Sequence, residues 1–186
     1  MRTPSHFIIT ATINTTIPEQ DRHTSAFFIG SILPDIPFTI LTVVYGIYYH
    51  FFGTIPSNIS TMEYLHFDLF YNDPVWIVSH NVFHSLVIGS LILIIGYVNR
   101  SKRWGKFLSW LAIGTLIHTV LDIFTHHIDG PLFLFPLNWT YRFESSISYW
   151  QPEYFGNEFR VFEYLLNIAL VLYLGVKWYV ARQSKN

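Results

Sequence analysis

Apolar residues are concentrated in long stretches that polar, aromatic-rich segments separate from one another. Three of these stretches approach the length of about 20 residues that an α-helix needs to cross the hydrocarbon core of a bilayer. They comprise residues 82–98, 107–125 and 161–180. Within lipid a chain must satisfy its own backbone hydrogen bonds, so each stretch predicts one membrane-spanning helix.

A fourth apolar stretch, residues 24–49, contains Pro34, Asp35 and Pro37. Because proline lacks a backbone donor and strains a helix, we expect a broken helix here. A short N-terminal helix is predicted near Pro4, with Thr3 as its cap. The predicted fold is all-α: a polytopic transmembrane helical bundle of about four spans, with one proline-broken helix and the short N-terminal helix. We expect residues 1–186 to form a single membrane-embedded domain.

Composition agrees with a membrane protein and excludes several functions. Charged residues make up 12% of the chain, against about 25% in soluble domains. The net charge is −1 and there is no basic tract, so the chain has no electrostatic basis for binding nucleic acid. The absence of cysteine excludes disulfides, thiolate zinc sites and cysteine nucleophiles.

Basic residues are distributed unevenly among the connecting segments. The loop 99–106 and the C-terminal tail are rich in Lys and Arg, whereas residues 50–81 have neither. Positively charged loops remain in the cytoplasm, so we predict a multi-pass protein whose C-terminus is cytoplasmic. The basic residues on which this prediction depends are Arg100, Lys102, Arg103, Lys106, Lys177, Arg182 and Lys185.

Ionisable residues at regular spacing lie in the second apolar stretch. His118, Asp122 and His126 are four residues apart, so in a helix they share one face. An ionisable residue at membrane depth is costly unless it is paired or functional. The ladder suits a metal ion held by nitrogen and oxygen. Alternatively, His118 and Asp122 neutralise one another and join helices.

Further candidate ligands lie near other apolar stretches. His80 and His84 are also four residues apart, at the start of the span 82–98, where Ser79 is a possible helix cap. His84 is the deeper of the two and the better candidate ligand; His80 alone suits a structural role. Asp35 follows Pro34 and either lines a cavity at the break or occupies a surface turn. His6 by itself suits a surface position at the start of a helix.

The order of several motifs resembles a known family. The motifs are TPSH ending at His6, G-x-x-x-P-D ending at Asp35, HSL beginning at His84, and HTVLDIFT beginning at His118 and followed by GPLFLFP. The chain is similar to the bacterial membrane-bound metal-dependent hydrolases, some of which are described as LexA-binding inner-membrane-associated hydrolases.

The resemblance implies a bacterial inner-membrane location. It also implies a metal site formed by His6, Asp35, His84, His118 and Asp122. The motif around His80 departs from the family pattern, in which an HRxxTHS-type run is common. Here Asn81 replaces the arginine, and His80 precedes the next histidine by four residues rather than five.

These observations favour a metal-dependent hydrolase. Imidazole and carboxylate ligands without sulfur suit zinc first, with manganese or iron as alternatives. Such an ion lowers the pKa of water near it, and a site in the bilayer favours a lipid-borne ester or phosphoester as substrate. Catalytic proton transfer is assigned to His126 or His80, with His127 as a further candidate.

Two alternatives to the hydrolase remain at the level of sequence. In the first, the His/Asp set is a structural metal site or joins helices, and the aromatic loops bind a partner. In the second, the chain transports a metal ion or protons, although it shows no inverted repeat. Residues 130–160 are predicted to form either a lid that admits an acyl chain to the site or an aromatic anchor at the interface, with Phe135 and Trp139 as the central aromatic residues.

Overall fold

The computed structural model describes residues 1–183, and every regular element in that part of the chain is helical. The predicted all-helical fold is therefore confirmed. Lys185 and the C-terminal residue itself lie outside the described residues. The helices are α1 (Thr3–Asn14), α2 (Thr24–Ile32), α3 (Asp35–Phe51), α4 (Thr61–Glu63), α5 (Phe70–Asn72), α6 (Pro74–Asn81), α7 (Leu86–Val98), α8 (Arg103–Ile123) and α9 (Gly156–Gln183), with a π-helical turn at Tyr64–Leu69 and a 3-10 turn at Pro152–Tyr154.

Two helices of the described chain, α8 and α9, are individually long and apolar enough to cross a bilayer. The pairs α2–α3 and α6–α7 also meet these criteria, but they bend by 46° and 44° respectively. The described residues thus contain two to four candidate spans. The break at Pro34 was predicted from the sequence.

The break between α6 and α7 was not predicted. Helix α7 begins only at Leu86, where the Ser85 hydroxyl caps it by accepting a hydrogen bond from the Ile88 N–H (3.1 Å). The proposed capping role of Ser79 is wrong, because this residue lies inside α6, whose cap is Asp73. Helix α1 likewise begins at Thr3 rather than after it, with Arg2 at the cap position.

Glycine residues bring α2, α7 and α8 into backbone contact. A Cβ atom on Gly114 of α8 would lie 2.5 Å from the carbonyl oxygen of Phe27 in α2. A Cβ atom on Gly96 of α7 would lie 2.6 Å from the backbone nitrogen of Ser109 in α8. Small residues permit this close packing of helices in membranes. The contact brings α2 against the part of α8 that leads to His118.

A buried carboxylate attaches the otherwise exposed α9 to α1. Glu163 of α9 is 1% exposed and accepts hydrogen bonds from the Arg2 N–H (2.9 Å), Arg2 Nη1 (2.7 Å) and Ser5 Oγ (2.8 Å). A charged residue in an apolar span needs such partners. Glu163 therefore anchors the first part of α9 to the start of α1.

The loop after α8 covers the break between α6 and α7. The Leu132 N–H donates to Asn81 Oδ1 (2.6 Å), and the Leu86 N–H donates to the carbonyl of Phe133 (2.9 Å). The Ser85 hydroxyl donates to the carbonyl of Phe135. These bonds satisfy polar groups that the interrupted helix leaves free, as membrane burial requires.

We predict that Gly114→Val destabilises the protein by about 1–3 kcal/mol, because the added side chain forces α2 away from α8. Thermal unfolding of the detergent-purified variant measures the effect. Gly175→Val is the matched control, since a Cβ at Gly175 meets no atom within 4 Å. Equal unfolding temperatures for the two variants would show that the close contact is unimportant.

Candidate metal centre

Four side chains from three parts of the fold converge on one point. Asp35 begins α3, His84 lies in the α6–α7 break, and His118 and Asp122 lie in α8. One ligand atom from each of the four lies within 4.8 Å of the other three. His84, His118 and Asp122 are at most 3% exposed, whereas Asp35 is partly exposed. This cluster can hold a metal ion.

The distances within the cluster fit ligands of a common ion. Asp122 Oδ2 lies 3.0 Å from His118 Nε2 and 3.4 Å from His84 Nε2. Asp35 Oδ1 lies 3.4 Å from His118 Nε2 and 3.7 Å from His84 Nε2. Two ligand atoms that are each about 2.1 Å from a tetrahedral ion lie about 3.4 Å apart. The observed separations agree with that value.

The two helix breaks orient the two histidines of this cluster. His118 Nδ1 donates to the carbonyl of Ser31, and His84 Nδ1 donates to the carbonyl of His80, both at 2.7 Å. Ser31 and His80 lie close to the ends of the helices that stop at the breaks. A histidine that binds a metal usually donates its other ring N–H to an acceptor of this kind.

These hydrogen bonds determine which ring nitrogen faces the carboxylates. A carbonyl oxygen only accepts, so Nδ1 carries the proton and a neutral ring presents the Nε2 lone pair. The Nε2 lone pairs of His84 and His118 then face carboxylate oxygens, which repel them unless a cation or an added proton lies between. A divalent ion satisfies both rings and both carboxylates.

A simple ion pair between His118 and Asp122 is the competing interpretation. The two groups are 3.0 Å apart, yet within the described chain His118 Nε2 has no hydrogen-bond partner. The ring nitrogen is therefore close to the carboxylate without the orientation of a hydrogen bond. A metal ion shared by the two groups fits this contact, as does a direct link between them.

Two more histidines contact the other oxygen of Asp122. His6 Nε2 lies 3.0 Å from Asp122 Oδ1, and the His6 ring stacks on His118 with centroids 3.7 Å apart. His126 follows the end of α8, but its Nε2 still lies 3.5 Å from the same oxygen. The amino group of Met1 donates to that oxygen as well (2.8 Å). The predicted ladder of His118, Asp122 and His126 is thus brought together.

A carboxylate that sequence reasoning missed supports His126. Asp129 Oδ2 lies 3.2 Å from His126 Nδ1 and accepts a hydrogen bond from Trp150 Nε1 (2.8 Å). Burial by itself would raise the pKa of Asp129, but the adjacent His126 ring and the hydrogen bond from Trp150 hold that pKa below its usual value. Asp129 is therefore a charged partner for the His126 ring. The sequence feature that could have identified Asp129 is its position three residues after His126.

His80 and His127 have different environments. The half-buried His80 ring stacks on His84 (centroids 4.3 Å apart), and neither of its nitrogens has a hydrogen-bond partner among the described residues. His127 donates from Nδ1 to the carbonyl of Ser145 (2.7 Å) and stacks on Tyr154. His127 thus has a structural role in the loop. His80 and His126 both line the cavity described next.

A cavity of about 500 Å³ extends from the cluster. Asp35, His84 and Asp122 line one part of it, and most of the remaining wall is aromatic. Thr3 fixes Asp35 in this wall by donating from its hydroxyl to Oδ2 (2.5 Å). The aromatic residues of the wall are Phe38, Phe67, Phe70, Tyr71, Tyr149 and Trp150.

The predicted position of the aromatic loop needs correction. Phe135 is 5% exposed and is held near the α6–α7 break, outside the cavity wall. Trp139 also lies outside the wall, and its Nε1 donates to the carbonyl of Pro136. The loop instead lines the cavity with Tyr149 and Trp150, and the expected contact of Phe135 and Trp139 with the site is not seen. The sequence carried no signal that distinguished these aromatic residues.

Helices that can span a membrane around a buried His/Asp cluster define a helical membrane protein with a candidate metal centre. Residues 1–184 match the profile of the YdjM inner membrane protein family. The chain belongs to this family, which confirms the resemblance drawn from its motifs and its location in a membrane. No curated protein and no solved structure matches the chain.

We predict that Asp122→Asn lowers the metal content of the purified protein at least tenfold while leaving membrane insertion intact. Asp122 contacts both histidines of the cluster, and an amide is a weaker ligand than a carboxylate. Metal analysis after dialysis measures the change. Asp21→Asn, an exposed position, is the control and should retain the wild-type content. Unchanged metal in Asp122→Asn would contradict the proposed cluster.

Proposed function

We propose that the protein is a metal-dependent hydrolase that acts on a lipid-borne ester or phosphoester. The observation that carries the proposal is the His/Asp cluster at the wall of a cavity of about 500 Å³, which is large enough for a small ligand. The partly exposed side chain of Asp35 faces this cavity. A purely structural metal site would usually be closed by its ligands.

The proposed metal ligands are His6, Asp35, His84, His118 and Asp122. This set of nitrogen and oxygen donors suits zinc first and manganese or iron second. When bound, such an ion acts as a Lewis acid and lowers the pKa of water. The chain itself orients the ligands through the carbonyls of Ser31 and His80.

His126 is the favoured residue for proton transfer. Its ring lies at the cavity wall, with Asp129 on one nitrogen and Asp122 near the other. A carboxylate partner orients an imidazole and supports proton movement through it. His80 also lines the cavity, but in the described chain neither of its ring nitrogens has a hydrogen-bond partner or a carboxylate within 4 Å. We therefore assign His80 a secondary catalytic role.

The aromatic wall supports an amphiphilic substrate. Phe38, Phe67 and Trp150 provide apolar surface in the same cavity as the polar cluster. A lipid can place its acyl portion against the rings while its ester or phosphoester group reaches the cluster. Membrane lipids are in addition the surroundings of this protein, so such a substrate needs no passage through water.

Hydrolysis is tested by incubating the purified protein with bacterial lipid extract and analysing the products by mass spectrometry. The wild-type protein should release a product from an ester or phosphoester lipid. His84→Ala should reduce the rate at least 100-fold because it removes a proposed ligand. His127→Ala, outside the cluster, should change it little. Tightly bound, stoichiometric metal without turnover would instead favour a structural site.

We further propose that the loop 99–106 and the C-terminus face the cytoplasm. Lys106 Nζ donates to the carbonyl of Gln20 (2.6 Å), and Lys177 Nζ donates to that of Thr15 (3.4 Å). The start of α8 and the last part of α9 therefore lie beside the same α1–α2 connection, in support of a common side. Asp122 is near the other end of α8, so the cluster would lie toward the periplasmic half.

The orientation is tested with reporters fused after Asn186. A reporter that is active only in the cytoplasm should be active, and one that is active only in the periplasm should be silent. The same pair of reporters inserted after Asn58, in the segment without Lys or Arg, should give the reverse pattern. Activity of the periplasmic reporter at the C-terminus would contradict the assignment.

A further inference from the structure

We propose that Asp122 bridges two divalent cations, the second of which is held by Asp122 Oδ1, His6 and His126. This inference rests on the proposed function, because it adds an ion to the same metal centre. The first ion would lie among Asp35, His84, His118 and Asp122 Oδ2. The ligand set that the family resemblance implies is thereby divided between the two ions, with His6 and the added His126 assigned to the second. A His126 ring that binds this ion no longer transfers protons, so with two ions bound that role passes to His80, which lines the same cavity.

The two oxygens of Asp122 face different groups of histidines. Oδ2 is the oxygen near His84 and His118, at 3.4 and 3.0 Å. Oδ1 is the oxygen near His6 and His126, at 3.0 and 3.5 Å. All four distances are close to the separation of about 3.4 Å expected for ligands of one tetrahedral ion. A carboxylate with two imidazoles on each oxygen has the arrangement of a bridging ligand.

His126 has a carboxylate beside its outer ring nitrogen. Its Nδ1 contacts Asp129, which Trp150 holds in turn, and this leaves Nε2 to face Asp122. The arrangement parallels the carbonyl partners of His84 and His118 in the first group. Among the described residues Nδ1 has no hydrogen-bond partner in either His6 or His126, but only that of His126 lies beside a carboxylate. We therefore expect His126 to be the stronger ligand of the second ion.

The nitrogen of Met1 lies at the proposed second position, 2.8 Å from Asp122 Oδ1 and 3.2 Å from His126 Nε2. A second ion would have to take this place. The rival arrangement is a single ion with the amino group retained beside Asp122.

Charge identifies the substrate class that the pair of ions would serve. Asp35, Asp122 and Asp129 supply three negative charges in the cavity wall, where Arg2 is already paired with Glu163, and two divalent ions would supply four positive ones. The resulting excess of positive charge favours an anionic phosphoester over a neutral carboxylic ester. Two ions about 3.5–4 Å apart are the usual arrangement for displacement at phosphorus.

The test is metal stoichiometry, measured without reference to activity. Detergent-purified protein is stripped with a chelator, titrated with Zn²⁺ by calorimetry and analysed for bound zinc by mass spectrometry. Wild-type protein should bind two ions. His126→Ala should bind one, and Asp129→Asn should weaken the second ion about 10–100-fold without removing a direct ligand. His127→Ala, whose histidine lies in the loop, should bind two.

The outcomes separate this inference from the function on which it rests. One ion in the wild-type protein, unaffected by His126→Ala, would overturn the second site and leave the hydrolase proposal standing. No bound ion would overturn both. Two ions retained in both His126→Ala and Asp129→Asn would overturn the assignment of these residues. Unfolding temperatures of all variants show whether a loss of zinc reflects misfolding, and Asp129→Asn remains informative if His126→Ala fails to fold.

Discussion

The buried carboxylate of Asp122 is the constraint on which the rest of the site depends. It lies in a span and is 3% exposed, and an uncompensated charge at that depth costs several kcal/mol. Imidazole nitrogens from four parts of the fold surround it within 3.5 Å, namely those of His6, His84, His118 and His126. Neutral rings cannot offset the charge, so the group requires added protons or a cation. The convergence of α1, the α6–α7 break and α8 follows from this requirement.

The breaks between α2 and α3 and between α6 and α7 help to orient the histidines around Asp122. Each leaves backbone carbonyls without helical partners, which is tolerated only where other groups satisfy them. The carbonyls of Ser31 and His80 bind the ring N–H groups of His118 and His84, and the Thr115 hydroxyl contacts the carbonyl of Gly30. The same interruptions that weaken the helices therefore aim two imidazoles at Asp122. Contact between α2 and α8 through Gly114 keeps the first of these bonds in place.

Membership in the YdjM inner membrane protein family indicates that the protein lies in a membrane. The proposed hydrolase activity is inferred from the His/Asp cluster and its cavity. Nitrogen and oxygen ligands, an adjoining cavity with an aromatic wall, and a histidine supported by Asp129 form a consistent set for hydrolysis of a membrane lipid. The two oxygens of Asp122 face different pairs of histidines, and the two-ion site that we propose there favours phosphoesters as substrates.

The local pattern of residues along the sequence was enough to predict much of the fold. The apolar stretches predicted the helices, Pro34 predicted one break, and the four-residue spacing of His118 and Asp122 placed both on one face, because helical geometry fixes the positions of near neighbours. His6 was identified as a candidate ligand only through the TPSH motif, because its local sequence does not distinguish it from a surface histidine. Only the tertiary structure decided the second break, the contact of Asp129 with His126, and the attachment of α9 through Glu163 and Arg2. The last of these joins residues 161 positions apart, and such contacts depend on how whole helices and loops pack, which local spacing does not determine.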